Sequence, residues 1–224
     1  MLIMLDALFS GNLLYIVISF FSYLIIFIIA TPIHESAHAL VAKWLGDDTA
    51  AMQGRISLNP MAHFDLIGTI SLFLLGIGWA KPVPVNTYRC RKVKYQKTAM
   101  ALTAAAGPIS NVLMALVFMI IYKLVLLLAP PTQTVYYFAM VLDMVVEINL
   151  SLGVFNLLPI PPFDGSRIFL AFLPSKYYFA IMKYEQIIMY VVLALLFTGV
   201  LKIPFGVLSN LLYNGLDLIT GFIR

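Results

Sequence analysis

The amino-acid sequence predicts an all-α polytopic membrane protein with about five to six membrane segments. Of its 224 residues, 62% are hydrophobic and 11% are charged, and the mean hydropathy is +0.98. A soluble globular domain carries about 25% charged residues. The apolar residues also occur in runs that reach the roughly 20 residues a helix needs to cross a bilayer. Because the loops between these runs are short, residues 1–224 are predicted to form a single domain.

Five apolar runs are predicted to be membrane helices. They lie at roughly Asn12 to Trp44, Ala99 to Leu128, Val135 to Leu158, Gln186 to Ile203 and Phe205 to Ile223. The first run is longer than a bilayer requires, and Pro32 predicts a kink in it because proline removes a backbone hydrogen bond. This run lacks a basic start and a cleavage site, which indicates a retained helix rather than a signal peptide.

The shorter apolar stretch at residues 66–80 is predicted to be re-entrant. It contains three glycines, and its length is too small for a full crossing. Prolines and alternating apolar residues on both sides, at residues 55–60 and 81–85, predict extended chain. The sequence therefore predicts a small extended and re-entrant element between the first two full spans.

The basic residues predict the orientation of the chain. The loop at residues 81–97 carries six lysines and arginines and no acidic residue, so it is expected to be cytoplasmic. The uncharged loop at residues 130–134 is expected to face outward. The net charge of +4 is explained by this orientation, and no nucleic-acid partner is expected. Cys90 is the only cysteine, which excludes a disulfide framework and a thiolate zinc cluster.

A metal-binding pattern follows the first apolar run. His34 and His38 are four residues apart, so on a helix their imidazoles lie on one face and can bind one metal ion. Glu35 lies where it can reach a water at the metal without being a ligand. Ionisable side chains at membrane depth are costly and usually functional. The alternative is a histidine pair that is hydrogen-bonded inside a helix bundle.

A catalytic zinc ion usually takes three protein ligands, and five acidic or histidine side chains are candidates for the third. Asp164 follows a proline-rich turn, and such a break inside a membrane is tolerated where it lines protein or a wet cavity. The turn could also simply cap the next helix. His63 and Asp65 could orient a ligand imidazole or be solvated loop residues. Asp143 and Glu147 could line a proton path or pair with Ser or Lys.

Two motifs occur together in this chain. The first is H-E-x-x-H, formed by His34, Glu35 and His38. The second is N-x-x-P-x-x-P-x-D-G, whose fixed positions are matched by Asn156, Pro159, Pro162, Asp164 and Gly165. On these motifs the chain resembles the site-2 protease family of intramembrane zinc metalloproteases over roughly residues 30 to 170. The resemblance is to the compact prokaryotic form, because there is no room here for PDZ or CBS domains.

The resemblance implies one zinc ion per chain, held by His34, His38 and Asp164. It implies a multi-pass cell-membrane enzyme that hydrolyses peptide bonds within or near transmembrane segments of membrane proteins. A zinc-activated water and Glu35 as general base would carry the reaction, and Asn156 would donate to the oxyanion. The expected partners are transmembrane substrates and the lipid bilayer, and the charge pattern places the site toward the cytoplasm.

Several alternatives stay open from the sequence. Asn156 could instead bond to local backbone at a helix end, and Asn111 is predicted to be a helix-packing residue. Extended residues 79–86 could pair with a substrate strand or be a connecting hairpin. The three ligands could also be the transit site of a metal transporter, or belong to a silent protein that only binds membrane substrates. Glu35 argues against both, and no inverted repeat supports transport.

Overall fold

In the computed structural model, which describes residues 3–223, the protein is built from helices, and these residues contain no β-strand. The helices are α1 (Ile3–Ser10), α2 (Leu13–Ile25), α3 (Thr31–Leu45), α4 (Thr49–Met52), α5 (Leu66–Leu75), α6 (Gln96–Leu128), α7 (Gln133–Asn156), α8 (Asp164–Leu170), α9 (Ser175–Met182), α10 (Glu185–Phe197) and α11 (Lys202–Ile219). The all-α prediction is confirmed.

Three helical stretches are long and apolar enough to cross a membrane. They are Leu13–Leu45, Gln96–Leu128 and Gln133–Asn156, and each agrees with a predicted run to within a few residues. A fourth candidate span is formed by two shorter helices if they are counted together despite the 59° bend between them, Lys176–Met182 and Glu185–Leu196. By length and composition, residues 3–223 therefore contain three candidate membrane spans, or four if the bent pair counts as one.

The first span is continuous but irregular one turn before the histidines. A π-helical turn, Ile26–Ala30, joins α2 to α3, and the Thr31 N–H donates to the carbonyl of Ile26. Pro32 lies in the first turn of α3 and has no N–H to donate. The sequence predicts a kink at this proline, and the structure has a π-turn directly before it.

The core lies between the three spans. Side chains of α6 and α7 interdigitate along their length, with Met119, Val145 and Val146 completely shielded from solvent. Tyr23 and Ile26 of the first span pack against the same cluster. Helix α3 lies against α6, where small residues let the two backbones approach closely. This packing fixes the helix that carries the histidines against α6.

The segment between the first two spans is hydrogen-bonded to the C-terminal end of α3 and to the residues just after it. The buried carboxylate of Asp47 accepts hydrogen bonds from the backbone N–H groups of Thr49 and Asn86. The Lys92 N–H donates to the carbonyl of Leu45 at 3.1 Å. The basic loop therefore lies directly beside the end of α3.

Helix α5 is the shorter apolar element predicted between the spans. Its ten residues rise about 15 Å, half of the roughly 30 Å hydrocarbon core. Irregular chain flanks it on both sides, and the Lys81 N–H donates to the carbonyl of His63 at 2.9 Å. The Arg55 guanidinium donates to the carbonyls of Ala62 and Lys81. The flanking segments therefore lie side by side next to α3.

Candidate metal centre

The two histidines of the first motif converge on one point. His34 and His38 lie one turn apart on α3, and their Nε2 atoms are 3.1 Å apart. Their rings are nearly perpendicular, with an interplanar angle of 85° and centroids 4.7 Å apart. Both side chains are largely shielded from solvent.

Asp164, which lies far from the two histidines in the sequence, completes the group. It is the first residue of α8, and its Oδ2 lies 3.4 Å from Nε2 of His34 and 3.3 Å from Nε2 of His38. The preceding turn folds back tightly on the end of α7: a Cβ on Gly165 would lie 2.2 Å from the Leu157 carbonyl oxygen. A glycine is therefore required at that position to bring Asp164 to the histidines.

These three residues fit a zinc ion. The ligand atoms form a triangle with edges of 3.1, 3.3 and 3.4 Å. Two ligands of a tetrahedral zinc ion at about 2.0 Å are separated by about 3.3 Å. Oδ2 of Asp164 is buried and has no hydrogen-bond donor within residues 3–223. A cation bound between this oxygen and the two imidazole nitrogens would give the buried carboxylate the partner that it lacks.

The charge state of Asp164 suits a metal ligand. Burial opposes the charge, but hydrogen bonds and positive charge from the His34 and His38 imidazoles, when these carry a proton on Nε2, outweigh burial and hold the pKa of the Asp164 carboxyl below its usual range. The carboxylate is therefore anionic at neutral pH, and this is the form that binds a metal ion.

Helix α6 supplies acceptors to the outer nitrogens of both imidazoles. Nδ1 of His38 lies 2.7 Å from the Thr103 carbonyl, and Nδ1 of His34 lies 3.3 Å from Oδ1 of Asn111. An imidazole whose Nδ1–H donates presents the Nε2 lone pair to a metal. Asn111 is predicted from the sequence to be a helix-packing residue. Its contact with His34 could not be predicted, because the sequence does not show that α3 pairs with α6.

The metal group opens into a cavity of about 680 Å³. Glu35 and Asn156 also line this cavity, and their side chains make no hydrogen bond to any other residue in 3–223. The structure therefore brings the sequence-predicted site residues to one cavity. Their catalytic roles stay a prediction.

His63 and Asp65 form their hydrogen bonds outside the metal group, although His63 also lines the cavity. His63 is 2% exposed, and its Nε2 donates to the Ser57 carbonyl at 2.9 Å. Asp65 caps α5 and accepts from the Gly68 N–H at 2.7 Å. Neither residue hydrogen-bonds to the His34 or His38 imidazole. The acceptors that orient these two imidazoles come from α6 instead.

The acidic pair on α7 also lies outside the metal group. Asp143 accepts a hydrogen bond of 2.6 Å from the Tyr213 hydroxyl, so its partner is a tyrosine rather than a serine or lysine. Glu147 is exposed. In the part of the chain that the structure describes, His34, His38 and Asp164 form the one cluster of three ligand side chains close enough to hold a metal ion.

Fold and site together define a helical membrane protein with a candidate metal centre of two histidines and one aspartate. The profile described as peptidase family M50 matches residues 128–199. A Bacillus subtilis (strain 168) protein named "Putative zinc metalloprotease YwhC" is 44% identical over 160 residues, which cover 69% of this chain and 71% of that protein. A Methanocaldococcus jannaschii protein named "Putative zinc metalloprotease MJ0611" is 31% identical over 135 residues, covering 60% of this chain and 62% of that protein.

The chain belongs to peptidase family M50, the site-2 protease family, and the resemblance predicted from the two motifs is confirmed. No solved structure is significantly similar to the chain. The family membership and the His34, His38 and Asp164 cluster agree with the predicted zinc cofactor.

Proposed function

We propose that this protein is an intramembrane zinc endopeptidase that hydrolyses peptide bonds within or near transmembrane segments of other membrane proteins. The observation that carries the proposal is the convergence of His34, His38 and Asp164 within a cavity that Glu35 also lines. The two relatives named as zinc metalloproteases support the same chemistry.

His34, His38 and Asp164 would hold one zinc ion per chain. When bound, zinc supplies Lewis-acid chemistry, acidifying a water and polarising a carbonyl. The protein contributes the shape of the site, because α3 and the turn before α8 bring the three ligand atoms together.

Glu35 is the general base. Its carboxylate takes a proton from the attacking water and passes it to the nitrogen of the leaving amine as the peptide C–N bond breaks. Its lack of a hydrogen-bond partner within residues 3–223 leaves it free to do so. The Asn156 amide N–H donates to the oxygen of the scissile carbonyl as negative charge develops there.

An extended substrate segment binds along residues 79–86. Several of these residues line the cavity, and the Val83 and Val85 backbone groups make no hydrogen bond with the rest of residues 3–223. Alternating prolines at 82 and 84 leave the valine N–H groups as the donors of this stretch. A substrate helix that unwinds locally can satisfy its own backbone by pairing here as a strand.

The proposed topology follows from the charges and the helix lengths. The chain forms one domain of residues 1–224 with five to six membrane segments, counting α10 and α11, and residues 66–80 are re-entrant. The basic loop at residues 81–97 is cytoplasmic, which puts the active site of this multi-pass protein toward the cytoplasmic side of the cell membrane. The partners are transmembrane substrates within the bilayer.

The test is proteolysis of a model single-pass substrate by purified, zinc-loaded protein. Wild type is expected to cleave it, and Glu35→Gln is expected to lose cleavage while keeping zinc. The matched control is Glu147→Gln, since this glutamate is exposed on α7 and does not line the cavity; it should cleave as wild type does. Equal cleavage by wild type and Glu35→Gln would refute the proposed function.

A further inference from the structure

One face of α6 lies against the imidazoles of His34 and His38 over three successive turns of the helix. Thr103, Gly107 and Asn111 are spaced four residues apart, so they lie on the same side of the helix. This side faces α3 at the level of His34 and His38.

Each of the three positions makes a different contribution. Thr103 offers its backbone carbonyl to Nδ1 of His38 at 2.7 Å. Gly107 leaves the space in which both rings lie, since a Cβ there would be 2.5 Å from Nε2 of His38 and from Cε1 of His34. Asn111 offers the Oδ1 of its side chain to Nδ1 of His34 at 3.3 Å. Of the two acceptors, only that of Asn111 depends on the identity of a side chain.

The position of Asn111 makes this contact specific. The residue is 2% exposed, so water cannot readily replace its oxygen as the acceptor. Without an acceptor, the His34 imidazole could carry its proton on Nε2, the nitrogen that faces Asp164 and His38. That tautomer cannot bind a metal ion through Nε2.

We propose that Asn111 is a positioning residue of the metal centre. It accepts the Nδ1–H of His34, which fixes both the tautomer and the plane of that ring, and so raises the zinc affinity of the site. The inference rests on the proposed zinc site and adds a residue to it that contacts the metal only through His34. Partners of this kind typically change metal affinity by about 10–100-fold.

A residue that only packs helices would behave differently, and Asn149 provides the matched comparison. It is also a fully buried asparagine, on α7, but its amide donates to the Val145 carbonyl of its own helix, and it makes no hydrogen bond to His34, His38 or Asp164. Substituting either asparagine removes a buried amide and is expected to lower stability. Only substitution of Asn111 should change the metal site.

The experiment compares full-length Asn111→Leu, Asn111→Asp and Asn149→Leu with wild type in detergent. Zinc affinity is measured by competition with a chelator, cobalt(II) absorption reports the coordination geometry, and the melting temperature of the metal-free protein reports stability. Asn111→Leu should bind zinc about 10–100-fold more weakly with an altered cobalt spectrum. Asn111→Asp keeps an acceptor and should stay close to wild type, as should the affinity of Asn149→Leu. If Asn111→Leu does not fold, Asn111→Ala takes its place.

The outcomes separate this inference from the proposed function. Wild-type affinity and spectrum in Asn111→Leu, or equal weakening in Asn149→Leu, would overturn the role of Asn111 and leave the zinc site standing. Absence of zinc binding in the wild type would remove the zinc site itself, and the positioning role with it.

Discussion

Gly107 of α6 lies so close to His34 of α3 that no side chain fits between them. A Cβ built on this glycine would be 2.5 Å from Cε1 and 2.6 Å from Nε2 of His34. The obstructing atoms belong to the imidazole rings of His34 and His38. Their Nδ1 atoms lie at hydrogen-bonding distance from Asn111 and from the Thr103 carbonyl, so the rings have little freedom to move aside. The approach of these two helices therefore sets the position of the metal ligands.

The first prediction is that Gly107→Ala loses zinc. Helix propensity alone would make alanine more stable than glycine here by about 0.5–1 kcal/mol. The added methyl group must displace the His34 and His38 rings, and zinc affinity should fall by about tenfold or more. Zinc content after dialysis against a weak chelator measures the effect.

Gly153→Ala is the control for this substitution. Gly153 is also in a helix of the core, but its added Cβ would meet its nearest neighbours at 3.5–3.7 Å, which is ordinary contact. This variant should keep zinc and gain or hold stability. Retention of zinc by Gly107→Ala at wild-type affinity would show that the helices separate easily.

The second prediction concerns the ligand set. His34→Ala, His38→Ala and Asp164→Ala should each lose metal, because two protein ligands hold zinc far less tightly than three. Glu35→Gln should keep about one zinc per chain, since this side chain handles a proton and does not coordinate. Metal analysis of the purified variants by mass spectrometry measures both expectations. Full zinc occupancy in Asp164→Ala would remove this aspartate from the site.

The sequence accounts for only part of the way the candidate metal ligands come together. His34 and His38 are neighbours on any helix, so their convergence follows from spacing alone. Asp164 could be predicted as the third ligand only from a second motif, because local sequence patterns do not show which distant turn packs against the histidines. The contact between Asn111 and His34 joins residues 77 positions apart through the packing of two helices. Such pairings depend on which faces meet, and an apolar sequence in which every face is hydrophobic does not show this.

The number of membrane crossings was harder to predict for a related physical reason. Apolar length predicts a span only when it reaches the thickness of the bilayer. Helices α10 and α11 have 13 and 18 residues, at or below that length. Whether they cross depends on tilt and on neighbouring helices, which composition does not reveal.

The third prediction concerns orientation. The basic loop at residues 81–97 should be cytoplasmic, and the uncharged loop at residues 130–134 should be outside. Single cysteines at Lys92 and Thr132, both exposed, in a Cys90→Ser background report this through labelling with a membrane-impermeant thiol reagent. In intact cells, Thr132→Cys should label and Lys92→Cys should label only after the membrane is opened. Labelling of both from the same face would show that the proposed topology is wrong.

The last prediction concerns Asn156, the final residue of α7. It lines the cavity together with Glu35 and Asp164, and its side chain has no hydrogen-bond partner within residues 3–223. An asparagine that served only to bond local backbone at the helix end would be expected to show such a bond. Its free amide therefore supports the proposal that it donates to the substrate.

If Asn156 donates to the oxyanion, its interaction is made mainly in the transition state, and its loss should lower kcat more than it raises KM. Removing one such donor costs about 10²–10³ in rate. Asn156→Ala should therefore keep zinc and its fold while cleaving very slowly, and Asn156→Asp should do no better, because a carboxylate repels the developing negative charge. Steady-state kinetics in detergent, with metal content checked for each variant, measures this split. Turnover by Asn156→Ala close to that of wild type would return this residue to a structural role and leave zinc as the main stabiliser of the oxyanion.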